Sequence, residues 1–102
     1  MSPNFGPRKG GALPFLIVVH YTAMPNAQAA LQRLSDPAHE VSAHYLLNQS
    51  GGAVQLVPEA QRAWHAGAGA WSDCRDINSA SIGIELCNAG DHAFPAAQIQ
   101  AL

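Results

Sequence analysis

The sequence predicts an α/β domain. Three observations carry that reading: an aliphatic run at Phe15-Leu16-Ile17-Val18-Val19, an amphipathic stretch from Asn26 to Leu34, and a second short apolar run at Ser81-Ile82-Gly83-Ile84-Glu85-Leu86. At 102 residues the chain has room for one core and not two. Hydrophobic residues make up 48% of it and charged residues 12%, which excludes a disordered tail. A formal charge of −2 with five Lys and Arg argues against nucleic acid or an anionic membrane surface as the main partner. No apolar run approaches the ~20 residues of a membrane span.

Residues 1–13 hold Pro3, Pro7, Gly6, Gly10 and Gly11 with the pair Arg8-Lys9, and read as an irregular lead-in. The stretch is polar and turn-rich rather than a signal peptide, so a cytoplasmic setting is expected, with an envelope or phage-lysin role as the alternative. Phe15 to Val19 is too short for a helix and fits a central strand buried on both faces. Asn26 caps a helix through Leu34, in which Ala27, Ala30, Leu31 and Leu34 share one side, and Ser35-Asp36-Pro37 stops it.

His44 to Asn48 and Ala53 to Val57 flank Gln49-Ser50-Gly51-Gly52, a hairpin signal, and Pro58 ends the second strand. Residues 59–80 carry both Trp and little periodicity, and read as a long structured loop. Ser81 to Leu86 is a strand. Pro95 opens a last helix that runs to Leu102 and stops on an apolar residue without Gly or a basic last turn. That ending predicts a fragment of a longer domain. Cys74 and Cys87 make no disulfide framework and are expected as free thiols.

Two residues stand out chemically. His20 falls at the C-terminal end of the first strand, where the backbone of an α/β fold leaves the core and ligands gather. An imidazole there can bind Zn²⁺ through one nitrogen and donate to the protein through the other; a hydrogen-bonded strand-end His is the alternative. Glu85 is the odd member of an apolar strand, on the face it shares with Ser81 and Gly83. Gly83 leaves room beside the carboxylate for a ligand or a backbone. Glu85 reads either as a general base with a raised pKa or as the partner of an arginine such as Arg62 or Arg75.

His65, beside Trp64, lines a sugar- or peptide-binding groove or anchors the loop. His44 reads as structural, and His39 and His92 as exposed loop residues. The sequence contains no H-x-x-x-H, Cys-x-x-Cys, Gly-x-Ser-x-Gly or Walker loop, so any metal site is assembled from distant segments.

Taken in order, several segments resemble the zinc-dependent N-acetylmuramoyl-L-alanine amidases of the amidase-2 type, the superfamily that includes peptidoglycan recognition proteins. They are Ser2-Pro3-Asn4 with Arg8, Ile17-Val18-Val19-His20-Tyr21-Thr22, Val41-Ser42-Ala43-His44-Tyr45-Leu46-Leu47, Val54-Gln55-Leu56-Val57-Pro58, Arg62-Ala63-Trp64-His65-Ala66-Gly67, and Asn78 through Leu86. The resemblance covers nearly the whole chain and is nearer to bacterial enzymes that trim cell-wall fragments than to animal recognition proteins. It implies a mixed β-sheet flanked by helices, with residues 1–102 forming the N-terminal portion of a single domain.

It also implies one zinc held by two His and one Asp or Cys, with His20 matching the first ligand. Glu85 matches the acidic residue that takes a proton from the zinc-bound water, and Trp64 and His65 line the substrate groove. The substrate it implies is peptidoglycan or a muropeptide, cleaved between N-acetylmuramic acid and L-alanine. The family's other ligands and a nearby Lys fall beyond Leu102, so the chain as it stands is expected to be inactive. A non-catalytic peptidoglycan-binding module is the second reading, and a structural domain in which His20 and Glu85 merely pair is the third.

Overall fold

A computed structural model describes residues 2–11, 13–24, 26–66 and 76–88, together with positions 94, 96 and 98. Six strands and two α-helices are formed among them: β1 (Phe5–Gly6), β2 (Leu16–Tyr21), α1 (Ala27–Ser35), β3 (Tyr45–Leu47), β4 (Ala53–Gln55), β5 (Arg62–Ala63), α2 (Ile77–Ala80) and β6 (Ser81–Leu86). The main sheet has the order β2-β6-β3-β4. β6 runs parallel to both β2 and β3, and β3 and β4 form the antiparallel hairpin, so the sheet is mixed, as the resemblance implies.

The helix forms where its pattern places it. Asn26 Oδ1 accepts the Ala29 N–H at 2.8 Å, Asp36 ends the helix in extended backbone, and Ala30 and Leu34 are its buried positions. They pack with Leu46, Leu56, Val57, Ala63 and Cys87 into the core, on the sheet face that Leu46 shares with its register partner Glu85. Cys87 is a buried free thiol; Cys74 lies outside the described residues. Of the last helix, positions 96 and 98 are helical, and Gln98 donates to the carbonyls of Leu47 and Cys87; the rest of that helix lies outside the described residues. No described helix is long and apolar enough to cross a membrane.

Three expectations are corrected. Among the described residues β2 is an edge strand, not a central one: Ile17, Val19 and Tyr21, on the face away from α1, are 70%, 45% and 53% exposed. An unbroken aliphatic run reports β-propensity and cannot say which neighbours arrive. The N-terminal lead-in is not irregular throughout: it holds β1 and a 3-10 turn at Lys9–Gly11. Ser2 and Asn4 are buried, the Ser2 hydroxyl donates to the Leu34 carbonyl, and Asn4 Nδ2 donates to Asp36 and Val41 carbonyls at 2.9 and 2.8 Å. β1 pairs antiparallel with β5. Residues 59–80 contain β5 and α2 rather than loop alone, with 67–75, including Trp71, outside the described residues.

The exposed β2 face yields a prediction. Ile17→Lys with Val19→Lys is expected to change unfolding free energy by no more than about 0.5 kcal/mol, since exposed positions tolerate substitution. The pair is also expected to raise the monomeric fraction by light scattering, because charge blunts an apolar edge. A loss above ~2 kcal/mol would mean that this face is covered in solution.

Candidate active site

The register between β2 and β6 sets His20 directly against Glu85. Side chains of paired residues on parallel strands point to the same side, so both lie on the α1 face, together with Ser81 and Gly83. Gly83 is the hinge of the arrangement. A Cβ there would sit 2.4 Å from His65 Cγ and 2.5 Å from its Cδ2, so the space beside Glu85 is filled by the His65 imidazole. His65 reaches that position because Asn78 clamps its backbone: Asn78 Oδ1 accepts the N–H groups of His65 and Ala66 at 3.0 and 2.8 Å, and Nδ2 donates to the Ala66 carbonyl. One residue earlier, Ser42 donates its N–H to the Trp64 carbonyl and accepts the Trp64 N–H on its hydroxyl.

His65 Nδ1 lies 3.2 Å from His20 Nε2, and His65 Nε2 lies 2.9 Å from Ser81 Oγ. Burial, and then the neighbouring His20 and His44, push the His65 pKa down to about 4, so it is neutral at pH 7. His20 is lowered too, by burial. His44 plays the structural part expected of it. Fully buried, it accepts the Gly83 N–H on Nδ1 at 3.0 Å and donates Nε2–H to the Gln61 carbonyl at 2.8 Å, which fixes one neutral tautomer.

Glu85 has neither of the suggested arginine partners within the described residues. Arg62 is committed to Asp76 at 3.0 Å, and Arg75 lies outside the described residues. Nor does Glu85 hydrogen-bond His20, whose partner is His65. Its Oε2 is buried without a hydrogen bond, and burial raises its pKa to about 7. A cavity of about 200 Å³ opens here between α1 and the sheet, lined by Glu85, His65, Trp64, Arg33, Met24 and Thr22 among others. A second, of about 450 Å³, shares Trp64 and His65 with it and reaches Arg62 and Asn78.

The structure thus brings together His20, Glu85, Trp64 and His65. Both nitrogens of His65 are taken by the protein, so it can offer a ligand only the face and edge of its ring. Ser81 and Arg33 were not singled out from sequence. Ser81 was findable, since period two places it on the face of Gly83 and Glu85; Arg33, on a helix pointing outward, left no signal.

A zinc ion suits these donors in kind: an imidazole whose Nδ1 has no hydrogen bond among the described residues, next to a carboxylate with an unpartnered buried oxygen. In number they fall short, because the described residues contain no group of three His, Cys, Asp or Glu able to hold a metal. Asp91 and His92 lie outside them.

Comparison with known proteins identifies the fold and the family together. The profile described as N-acetylmuramoyl-L-alanine amidase, Amidase_2, matches residues 10–102. The chain belongs to that family. It is 41% identical to the N-acetylmuramoyl-L-alanine amidase AmiD of Escherichia coli K12, over 85% of this chain and 36% of AmiD. It is 36% identical to the 1,6-anhydro-N-acetylmuramyl-L-alanine amidase AmpD of the same organism, over 99% of this chain and 64% of AmpD. The chain therefore spans between one third and two thirds of the length of these relatives. A crystal structure of an AmpD selenomethionine derivative superposes with a TM-score of 0.84 at 32% identity, covering 98% of this chain and 65% of that one. E. coli AmiD in complex with anhydro-N-acetylmuramic acid-L-Ala-D-γ-Glu-L-Lys gives 0.74 at 33%, covering 96% and 48%.

The raised Glu85 pKa predicts a pH-dependent penalty. In the unfolded chain the carboxyl ionises near its ordinary 4.5, and in the fold near 7, so the stability it contributes is complete below 4.5 and is lost as pH rises through 7. Glu85→Gln is expected to match the parent at pH 4 and to exceed it by on the order of 2–3 kcal/mol at pH 8 in metal-free urea unfolding. Equal stabilities at pH 8 would show that the carboxylate is solvated.

Proposed function

We propose that the complete domain hydrolyses the amide joining N-acetylmuramic acid to L-alanine in muropeptides or peptidoglycan, with His20 as one zinc ligand and Glu85 as the proton carrier. The observation that supports it above others is Glu85: a half-buried carboxyl whose Oε2 is enclosed without a hydrogen bond, its pKa raised to about 7 by burial, across one strand pair from an imidazole whose Nδ1 has no hydrogen bond among the described residues. General acid–base catalysis is most efficient when the group's pKa lies near the working pH. Zinc, when bound, polarises the lactyl carbonyl and acidifies the attacking water.

Glu85 accepts the proton of that water as the C–O bond forms. It returns the proton to the L-alanine nitrogen as the C–N bond breaks, so that the peptide leaves as a neutral amine. Trp64 and the His65 ring wall the groove on the Glu85 side and exclude water from it. The described residues supply one imidazole ligand, and a catalytic zinc takes three protein ligands, so the others are drawn from outside them. His20→Ala is accordingly expected to lower the zinc retained after desalting relative to the parent chain, measured as metal equivalents per protein.

A non-catalytic binding module is the second reading, since the described residues place one imidazole and one carboxylate at the groove and no group of three metal-holding side chains. Glu85 separates the two. In any form of the protein that turns over with zinc, Glu85→Gln is expected to lower kcat by ~10²–10⁴ with little change in KM, followed as release of free peptide. Turnover within a few-fold of the parent would remove Glu85 from the reaction. Tight muropeptide binding with stoichiometric zinc and no turnover would establish the binding module.

A further inference from the structure

We propose that His65 is a positioning residue that fixes the tautomer of His20, with Ser81 setting the direction of the chain of hydrogen bonds; its relevance to catalysis rests on His20 being a zinc ligand. The direction is set at a carbonyl. The Ile77 C=O can only accept, so the Ser81 hydroxyl, 2.6 Å away, donates to it. With its one proton committed, Ser81 Oγ meets His65 Nε2 at 2.9 Å as an acceptor, and that nitrogen therefore carries hydrogen. A neutral imidazole has a single N–H, so His65 Nδ1 presents a lone pair to His20 Nε2 at 3.2 Å. Two facing lone pairs at that distance repel. His20 Nε2 is therefore the donor, and Nδ1 is the nitrogen left free.

The chain runs one way, from His20 through His65 and Ser81 to the Ile77 carbonyl. A histidine ligand whose other N–H is engaged is oriented and made more basic. The packing keeps it in place: the bare Cα of Gly83 admits the His65 ring, and Asn78 holds the His65 backbone. His44 cannot replace His65, because both of its nitrogens are already bonded to Gly83 and Gln61. The alternative is that His20 Nε2 and His65 Nδ1 face each other as two ligands of one cation, since nitrogens sharing a tetrahedral zinc lie ~3.3 Å apart. In that case His20 carries its hydrogen on Nδ1.

Long-range ¹H–¹⁵N correlation spectra of the ¹⁵N-histidine-labelled, metal-free protein, at a pH where the rings are neutral, decide between them. His20 and His65 are both expected as single Nε2–H tautomers. In Ser81→Ala, which deletes the terminal acceptor, the ring nitrogens of both residues are expected to shift toward the averaged positions of two exchanging tautomers. Gly83→Ala is expected to do the same at His20 by displacing the His65 ring while leaving its chemistry intact. An Nδ1–H tautomer at His20 in the parent protein would overturn the proposal, as would a His20 tautomer unchanged in both folded variants. An Nδ1–H tautomer at His20 in the parent spectrum overturns the proposal even where a variant fails to fold. A parental Nε2–H tautomer at His20 whose Nδ1 zinc does not perturb supports the relay and counts against the ligand reading alone.

Discussion

The site depends on two strands that run the same way. Six register pairs join β2 to β6, and the ladder is extended at both ends by Phe15 N–H to the Ala80 carbonyl and Thr22 N–H to the Leu86 carbonyl. Parallel strands cannot be joined by a tight turn, so the chain must leave the sheet between them. Here the chain between them runs through α1, the β3–β4 hairpin, β5 and α2, and α1 packs over the face carrying His20 and Glu85. One topological requirement thus brings two distant residues side by side and roofs them with the apolar side of an amphipathic helix. A slip of a single residue would send one of the two to the opposite face.

That roof is why Glu85 behaves unlike an ordinary glutamate. Taking a carboxylate out of water without a partner disfavours its charged form, and nothing among the described residues compensates Oε2. A fold selected for stability alone would place Ile or Leu here, as it does at Ile84 and Leu86 along the same strand. The strand instead carries an acid whose ionisation opposes folding at neutral pH. Such a conflict between local environment and residue type marks functional sites, where stability is given up for chemistry. The neighbouring histidines show the same environment with the opposite charge sign, each lowered by the burial that raises Glu85.

Much of this was legible in the sequence because it is local. The α1 cap and stripe, the hairpin around Gly51, and the period-two face of Ser81, Gly83 and Glu85 are decided by near neighbours, and each formed as its pattern indicates. What was not legible is decided at a distance. Ser2 and Asn4 lie in a stretch rich in Pro and Gly, yet they are fixed by carbonyls more than thirty residues away. No propensity records such bonds. Phe15 to Val19 has the composition of a doubly buried strand, but the number of neighbours a strand acquires is a property of the whole sheet. The gap at Gly83 is legible, but its occupant is neither the ligand nor the backbone expected there: it is the His65 ring, which arrives from eighteen positions earlier along the chain.

The order in which the site is assembled also has a physical rationale. A metal ligand is useful only if it waits in the right tautomer and orientation, since reorganising it when the ion arrives opposes binding. In this chain the groups that support His20 come from the protein itself. Asn78 grips the segment that carries His65, His65 fills the gap at Gly83, Ser81 is anchored on the Ile77 carbonyl, and His44 is locked against β6 from the other side. The contacts end on main-chain carbonyls and N–H groups, so His20 is tied to the backbone at Ile77 through two intervening side chains, His65 and Ser81. The described residues thus orient His20 and the neighbouring Glu85 through contacts made within the fold itself.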